Sequence, residues 1–311
     1  MSTRAPRPTD LVALVTFDED VRENLAVTRE RIAQGNDAPL PIAAAIEQWL
    51  HLGRRMWVNV SGRQIRGIAT ARELSSKHAW EIDTLIEAGD GARLEVLADL
   101  LRQAIVAAQD AEVTHLLLRT PEDSLAAEAA PRAGFVPVTS ERLWSGRLSP
   151  TSTTTHGVRE WTEDDAFASF QVYCRSLPVA ARQAMAMTVD EWNATRDRHW
   201  QERSDGALLV EAQGRVVGTA RTARGSGQFT LVVEPEADVA TDVLLAAIAR
   251  RLGEAERHMA LVAASGVTED AALRRAGLDC EPTAYALFCK RLMHPVREET
   301  YARAGIPLTG G

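Results

Sequence analysis

The sequence predicts an α/β protein made of two copies of one domain in tandem, each a mostly antiparallel mixed sheet flanked by helices. Three observations lead to this fold class. The chain has 311 residues, enough for two domains of ordinary size. Hydrophobic residues make up 45% of the chain and charged residues 25%, as in globular proteins. The same order of predicted strands and helices also occurs twice along the chain.

A β-hairpin is predicted at the corresponding place in each copy. Ser61–Gln64 and Gln213–Arg215 are glycine-containing turns between apolar, β-branched segments, which is the pattern of a hairpin. The second strands of the two hairpins, at 67–72 and 218–224, have similar sequences. The hairpins therefore fix where the two copies correspond.

A fourth strand and an amphipathic helix follow each hairpin. The predicted strands are 80–86 and 228–233, in which apolar and polar residues alternate. Each runs into a glutamate, Glu87 in the first copy and Glu234 in the second. Apolar residues then recur at helical spacing, so a helix is expected to pack on each sheet.

Each copy closes with a short strand, a short helix and a glycine before the terminal strands. Gly134 and Gly277 both follow an Arg-Ala pair, where a glycine in the left-handed conformation commonly ends a helix. Terminal strands are predicted at 143–148 and 284–292.

Domain boundaries follow from this repeat. The N-terminal domain is predicted at 1–148 and the C-terminal domain at 157–292. The segment 149–156 is polar and has no apolar periodicity, so it is the predicted linker. Residues 293–311 form a C-terminal tail that is too short for a domain.

Charge and composition argue against several function classes. A net charge of -8 at pH 7 disfavours binding to a phosphate backbone. No stretch approaches the ~18–20 apolar residues of a membrane span, and the N-terminal residues lack the apolar core of a signal peptide. The three cysteines form no Cys-x-x-Cys pair, and no residue spacing is typical of a metal site. We expect a cytoplasmic protein without nucleic acid, membrane or metal partners.

The order of elements, with the steps Arg-Ala-Gly-Phe at 132–135 and Arg-Ala-Gly-Leu at 275–278, resembles the GNAT (Gcn5-related N-acetyltransferase) acyltransferases. The resemblance covers nearly the whole chain, twice, and tandem arrangements occur in that family. It implies acetyl-CoA as the cofactor, with the pantetheine arm on the end of the fourth strand and the pyrophosphate on a glycine-rich loop that opens the next helix. It also implies a base for the acceptor amine and, often, a tyrosine acid.

In the first copy, the resemblance implies a cofactor site at the end of the fourth strand and in the loop after it. The residues concerned are Leu85, Ile86, Gly89, Gly91, Ala92 and Arg93. Two glycines and an arginine would let the backbone approach an anion, although the spacing differs from the family's and Asp90 lies among them. Ordinary turns that lead into helices show the same short glycine pattern.

The corresponding loop of the second copy, 234–242, contains no glycine. Its acids, from Glu236 to Asp242, would repel a pyrophosphate, or they favour a helix N-terminus without any ligand. The position of the family's tyrosine holds Ala130 in the first copy and Leu273 in the second. We therefore predict that the first copy binds the cofactor and that the second is a structural partner that lends a wall to the pocket.

Glu81 and Asp83 are the candidate catalytic bases, because members of the family often keep a carboxylate on this strand. They alternate with apolar residues and so share a face, as the residues of a solvent-facing strand edge also would. Trp192 and Trp200 lie on one predicted helix near the acceptor pocket, which suggests an apolar or aromatic acceptor.

Two functions follow. The first is an acyl-CoA-dependent N-acyltransferase that acetylates a small amine. The second is a catalytically inactive GNAT-like protein that binds another ligand or a partner, and the departures in both phosphate loops favour it. The residues themselves leave both open.

Overall fold

The computed structural model describes residues 2–19, 23–33, 44–46, 53–88, 94–149, 154–196, 206–235, 237–253, 257–264 and 267–293. The strands in these ranges are β1 Ser2–Arg4, β2 Arg54–Ser61, β3 Gln64–Glu73, β4 Ala79–Glu87, β5 His115–Pro121, β6 Val136–Gly146, β7 Val158–Glu160, β8 Ala207–Ala212, β9 Arg215–Ala223, β10 Gln228–Val233, β11 His258–Ala263 and β12 Leu278–Arg291. The helices are α1 Leu11–Glu19, α2 Leu94–Asp110, α3 Leu125–Arg132, α4 Ala166–Ser176, α5 Val179–Met185, α6 Val189–Ala194, α7 Asp238–Leu252 and α8 Val267–Arg275.

The strands of the described chain form one continuous sheet in the order β1-β2-β3-β4-β5-β12-β6-β11-β10-β9-β8-β7. Neighbouring strands are antiparallel except for two pairs, β4 with β5 and β10 with β11, which run parallel. The predicted fold class, a mostly antiparallel mixed sheet flanked by helices and repeated once, is therefore confirmed.

The two copies exchange their terminal strands. β12, from the second copy, lies between β5 and β6 of the first, and β6 in turn pairs with β11 of the second copy. Where short terminal strands were expected at 143–148 and 284–292, the structure has the long strands β6 and β12, which begin earlier because no turn interrupts them. A register shift between Cys280 and Ala284 bends β12 without ending it. The domain boundaries at 148 and 157 stay a prediction.

Two glycines show how closely the copies correspond. Gly67 on β3 and Gly218 on β9 lie under α2 and α7, where a Cβ atom would come within 2.8 Å of Val96 and 2.9 Å of Leu244 respectively. Gly67 pairs with Glu87, whereas Gly218 pairs with Val233. The counterpart of Glu87 is thus Val233 and not Glu234, so matching the two glutamates shifts the copies by one residue.

Each copy has its own core between the sheet and one pair of helices. α2 and α3 cover the first core, and α7 and α8 cover the second. The left-handed glycines predicted after α3 and α8 are confirmed, with φ angles of 90° at Gly134 and 87° at Gly277. On the opposite face, α4 and α5 of the second copy pack onto the first copy, since Leu177 and Met185 lie in one apolar cluster with Leu117.

Candidate functional site

Each copy contains one gap between parallel strands. The pairing of β4 with β5 ends at Ile82 and Leu118, and the pairing of β10 with β11 ends at Phe229 and Ala260. Beyond these points the strands diverge toward their carboxyl ends. In α/β sheets such gaps are places where ligands bind.

The first gap is filled by the protein itself. Residues 24–28, which we call the plug segment, run between the diverging strands. The backbone N–H of Leu25 donates to the carbonyl of Leu85 at 2.9 Å, and the N–H of Leu85 donates to the Asn24 side chain at 2.9 Å. On the other side, the N–H of Val27 donates to the carbonyl of Arg119 at 2.8 Å. Both backbone groups of Leu85, a predicted cofactor residue, are therefore already hydrogen bonded.

The other predicted cofactor residues are not brought to an open cleft within the described chain. Ile86 is buried in an apolar cluster with Leu14 and Ile68. Gly89, Gly91, Ala92 and Arg93 lie outside the described residues, as does Trp200. The predicted cofactor role of the loop 89–93 therefore stays a prediction. The plug segment occupies the strand edge beside this loop.

Asp83, one of the two predicted bases, is a fully buried ion-pair partner. Its side chain is 0% exposed and accepts hydrogen bonds from Arg31 at 3.0 Å, from Arg54 at 2.9 Å and from the Thr70 hydroxyl. The register of β3 with β4 shifts at this point, so Asp83 is an extra residue in the strand. These contacts give it a structural role in closing the first gap.

Glu81, the other predicted base, lines a cavity, and both of its oxygens are engaged. Oε2 accepts from Arg72 at 2.8 Å and Oε1 accepts from Arg119 at 3.1 Å. Arg119 and Arg29 also hold Glu141: burial would raise the pKa of this carboxyl, but the two guanidinium groups outweigh burial and keep its pKa below the usual value. The structure therefore separates the two predicted bases and places Glu81 in an ion-pair network.

The second gap opens into a cavity of about 250 Å³. Its floor is formed by 230–233 of β10 and 261–263 of β11. Leu231 is the counterpart of Leu85, because the glycine register equates Ala69 with Ala220 and these alanines pair with Leu85 and Leu231. On this side no described backbone group pairs with Leu231, since β11 has diverged.

The first copy contributes to the far side of this cavity. Arg29, next to the plug segment, donates from Nη1 to the carbonyl of Leu261 on β11 at 3.1 Å. Glu81, Arg119 and Glu141 line the same side. The sequence predicted that the second copy lends a wall to a pocket of the first, and in the structure the first copy supplies a wall to the cavity of the second.

An aromatic roof covers the cavity. Trp192 on α6 lies with its ring centroid 5.8 Å from those of Phe170 and Tyr173, and the indole N–H of Trp161 donates to Ser169 at 2.9 Å. Trp161, Trp192 and Tyr173 all line the cavity. Burial raises the pKa of the Tyr173 phenol, so this side chain stays neutral at physiological pH.

The roof is anchored to the first copy through the backbone carbonyls of Arg196 and Met185. The backbone N–H of Ser75 donates to the carbonyl of Arg196, just after α6, at 3.0 Å. His115 on β5 donates from Nε2 to the carbonyl of Met185, at the end of α5, at 3.1 Å. The position of the roof therefore depends on the first copy.

Two arginines lie against the aromatic roof. The guanidinium of Arg221, on β9, is 5.7 Å from the centroid of Trp161. That of Arg196 is 5.6 Å from Trp161 and 5.3 Å from Trp192, which is within cation–π range. Sequence reasoning missed Arg221, although a charged residue between Ala220 and Thr222 in a predicted strand was an available signal.

The end of β10 does not reproduce a glycine-rich phosphate loop. Glu234 follows the strand and pairs with Arg175 and Arg215, and α7 begins after Ala237 without a side-chain cap. Among its described residues, the second gap thus has an unpaired strand edge at Leu231 and an uncapped start of α7, but no glycine-rich loop between them.

Similar solved structures share the fold of this chain. A GCN5-related N-acetyltransferase from Sphaerobacter thermophilus is 18% identical and superposes with a TM-score of 0.50 over 93% of this chain and 95% of that one. A putative acetyltransferase from Pyrococcus horikoshii is 14% identical with a TM-score of 0.50, over 94% of this chain and 89% of that chain. The chain has a tandem GNAT fold.

Comparisons of the sequence with protein-family profiles and with curated proteins found no match. A tandem GNAT protein from the clavulanic acid biosynthesis pathway is 14% identical, with a TM-score of 0.45 over 93% of this chain and 98% of that chain. Within the described tandem GNAT fold, no helix is long and apolar enough to cross a membrane, and no three His, Cys, Asp or Glu residues cluster as metal ligands do.

Proposed function

We propose that the protein is an acyl-CoA-dependent acyltransferase whose second copy holds the reacting molecules and whose acceptor is a small amine. The observation that carries this proposal is the contrast between the two gaps. The plug segment occupies the first, whereas the second opens along Leu231 into a cavity of about 250 Å³. In the GNAT fold this gap is where the resemblance expects the pantetheine arm.

Acyl-CoA would supply an acyl group activated as a thioester. In the transfer, the acceptor nitrogen bonds to the acyl carbon, the carbon–sulfur bond breaks, and the amine proton is lost while the thiolate gains one. The backbone N–H and C=O of Leu231 would hold the arm as a neighbouring strand does. Trp161 and Trp192 would exclude water from the acceptor.

Tyr173 is our candidate for the acid that protonates the departing sulfur. The family's usual tyrosine position holds Leu273, but Tyr173 lines the cavity from α4. It stays protonated because burial raises its pKa, and its hydroxyl now donates to the sulfur of Met185 at 3.3 Å. A weak sulfur acceptor leaves this proton available for another partner.

The proposal is tested by isothermal titration with acetyl-CoA and with free CoA on three variants. Val239→Glu adds a negative charge at the start of α7, at a side chain that is 76% exposed, and should weaken binding about fivefold through repulsion of the phosphates. Val12→Glu adds the same charge on α1 at a 78% exposed position and should have no effect. Gly91→Asp changes the predicted loop of the first copy and should also have no effect.

Weakening by Gly91→Asp with unchanged binding in Val239→Glu would move the cofactor to the first copy. No heat and no thermal shift with either ligand would favour the second candidate function, an inactive protein that binds a different small molecule. That candidate is favoured by one observation, the absence of a glycine cradle where β10 meets α7.

A further inference from the structure

Arg221 is a cation in the cavity that pairs with no acid among the described residues. Among the described residues, no carboxylate, hydroxyl or carbonyl accepts a hydrogen bond from its guanidinium, which is half-buried beside Trp161. Burial lowers the pKa of this guanidinium, and no acid offsets that effect. Removing a charge from water without a partner costs free energy, so a retained cation of this kind points to a ligand that pairs with it.

The charge around the cavity is the reverse of the charge of the whole protein. The ionised side chains among its described lining residues are Arg29, Arg119, Arg196, Arg221, Glu81 and Glu141. Four cations thus face two anions, in a chain whose net charge is -8. Since Glu81 and Glu141 are both bound by arginines of the first copy, the surplus lies at the aromatic end, with Arg196 and Arg221.

This surplus lies at the acceptor end of the gap and away from the phosphate end. Arg221 pairs across the sheet with Thr230, where β10 starts to diverge from β11. The end of β10 at Val233, next to α7, lies roughly 10 Å farther along the strand. An anion at Arg221 therefore belongs to the molecule under the aromatic roof.

We propose that this cavity binds a small carboxylate-bearing molecule, with its carboxylate on Arg221 and its apolar or aromatic body against Trp161 and Trp192. A guanidinium presents parallel N–H donors that match the two oxygens of a carboxylate. The aromatic rings and Met185 supply the apolar contact area. The inference rests on the proposed function in one respect: if the protein is an acyltransferase, the acceptor is an amine that also carries a carboxylate.

The test uses two probes of equal shape, phenylacetate and the neutral phenylacetamide, titrated into the full-length protein while its tryptophan fluorescence is followed. Phenylacetate should bind about tenfold more tightly than phenylacetamide, because the amide leaves Arg221 without its charge-assisted hydrogen bonds. Arg221→Gln should abolish this preference, and Arg221→Lys should keep part of it. Arg63→Gln, at an exposed arginine of the β2–β3 turn, is the control and should keep all of it.

The proposal would be overturned if the two probes bound with equal affinity, if neither bound, or if Arg221→Gln kept the preference for phenylacetate.

The melting temperature of the protein without ligand is a second test, and it also shows whether the variants fold. Because the unpaired cation costs stability, Arg221→Met should raise the melting temperature of the free protein by about 2 °C. A fall in melting temperature would mean that Arg221 stabilises the fold, and it would also overturn the proposal.

The result is separable from that of the acyl-CoA titration. Arg221→Gln should leave the affinity for free CoA unchanged, and a loss of about tenfold would reassign the arginine to the cofactor. If acetyl-CoA does not bind but phenylacetate binds through Arg221, the acyltransferase proposal fails and the carboxylate site stands. If acetyl-CoA binds and neither probe does, the carboxylate site fails and the acyltransferase proposal stands.

Discussion

The two copies share one fold and one gap between parallel strands, but they differ in what occupies that gap. In the first copy, the plug segment makes the hydrogen bonds of an extra strand with Leu85 and Arg119. In the second copy, the corresponding edge at Leu231 faces a cavity. The comparison shows that the gap is a property of the fold, whereas its availability is decided by a few residues outside the sheet.

One extra residue accounts for much of this difference. Asp83 is inserted between Ile82 and Thr84, whereas Phe229 and Thr230 are adjacent in the second copy. At the position of Thr70, which bonds Asp83, the second copy has Arg221. In the first copy, Asp83 thus binds Arg31 and Arg54 and helps to close the gap. In the second copy, Arg221 has no corresponding acid.

The largest effect is expected when the acid of the first copy is removed. Asp83→Ala leaves Arg31 and Arg54 half-buried without their shared carboxylate, so it should lower the free energy of unfolding by about 3–5 kcal/mol. Urea unfolding followed by circular dichroism measures this loss. As a control, Asp242→Ala removes a solvent-exposed partner of Arg275 and should cost less than about 1 kcal/mol. Similar losses in both variants would contradict the assigned role of Asp83.

A smaller effect should follow from loosening the plug segment. Asn24 bonds three backbone groups, the N–H of Leu85, the N–H of Ala26 and the carbonyl of Asp83. Asn24→Ala leaves these buried groups unpaired and should cost about 3 kcal/mol of unfolding free energy in urea.

The same variant also separates the two gaps as ligand sites. If acetyl-CoA binds in the second copy, its affinity should be the same in Asn24→Ala as in the wild type under native conditions, as isothermal titration would measure. Tighter binding in the variant would show that the plug segment competes with the cofactor for the first gap.

The smallest effect concerns pH and the contact between the copies. Burial lowers the pKa of His115, so the unfolded chain, with a value of about 6.5, takes up the proton first as pH falls. The stability that neutral His115 gives to the native state is complete above about pH 6.5 and is lost below that value, by at most about 1.4 kcal/mol at about pH 5.5.

The check is thermal unfolding between about pH 7.5 and about pH 5.5. His115→Gln keeps a donor for the carbonyl of Met185 but does not titrate, so its melting temperature should fall less on acidification than that of the wild type. His156→Gln, at an exposed histidine, should follow the wild type. An equal fall in all three proteins would contradict the role of His115.

The order of strands and helices was predictable from local signals. Glycine turns, alternating strands and the glycines after α3 and α8 each depend on residues near one another in the sequence, and these were read correctly. The exchange of β6 and β12 was not predictable, because strand partners are set by long-range contacts that leave no local pattern. The one-residue shift between Glu87 and Val233 was hidden for the same reason, since the bulge at Asp83 is visible only through pairing with β3.

The candidate site depends on contacts that the sequence does not show. The catalytic role of Glu81 and Asp83 stays a prediction. Glu81 lines a cavity, whereas Asp83 is bound by Arg54 and Leu85 is bound by the plug segment. The sequence around 24–28 has no motif that marks it as the occupant of a cleft. Arg221 was overlooked because a single arginine in a strand indicates a ligand site only when the structure shows that no nearby acid pairs with it.

The exchanged strands also affect how the protein is made. While the chain is being synthesised, β5 and β6 are complete long before β12, which belongs between them. Until Arg291 has left the ribosome, both strands present unpaired edges, and such edges are prone to aggregation. The first copy therefore cannot finish folding ahead of the second, and each copy expressed alone would lack an inner strand of its own sheet.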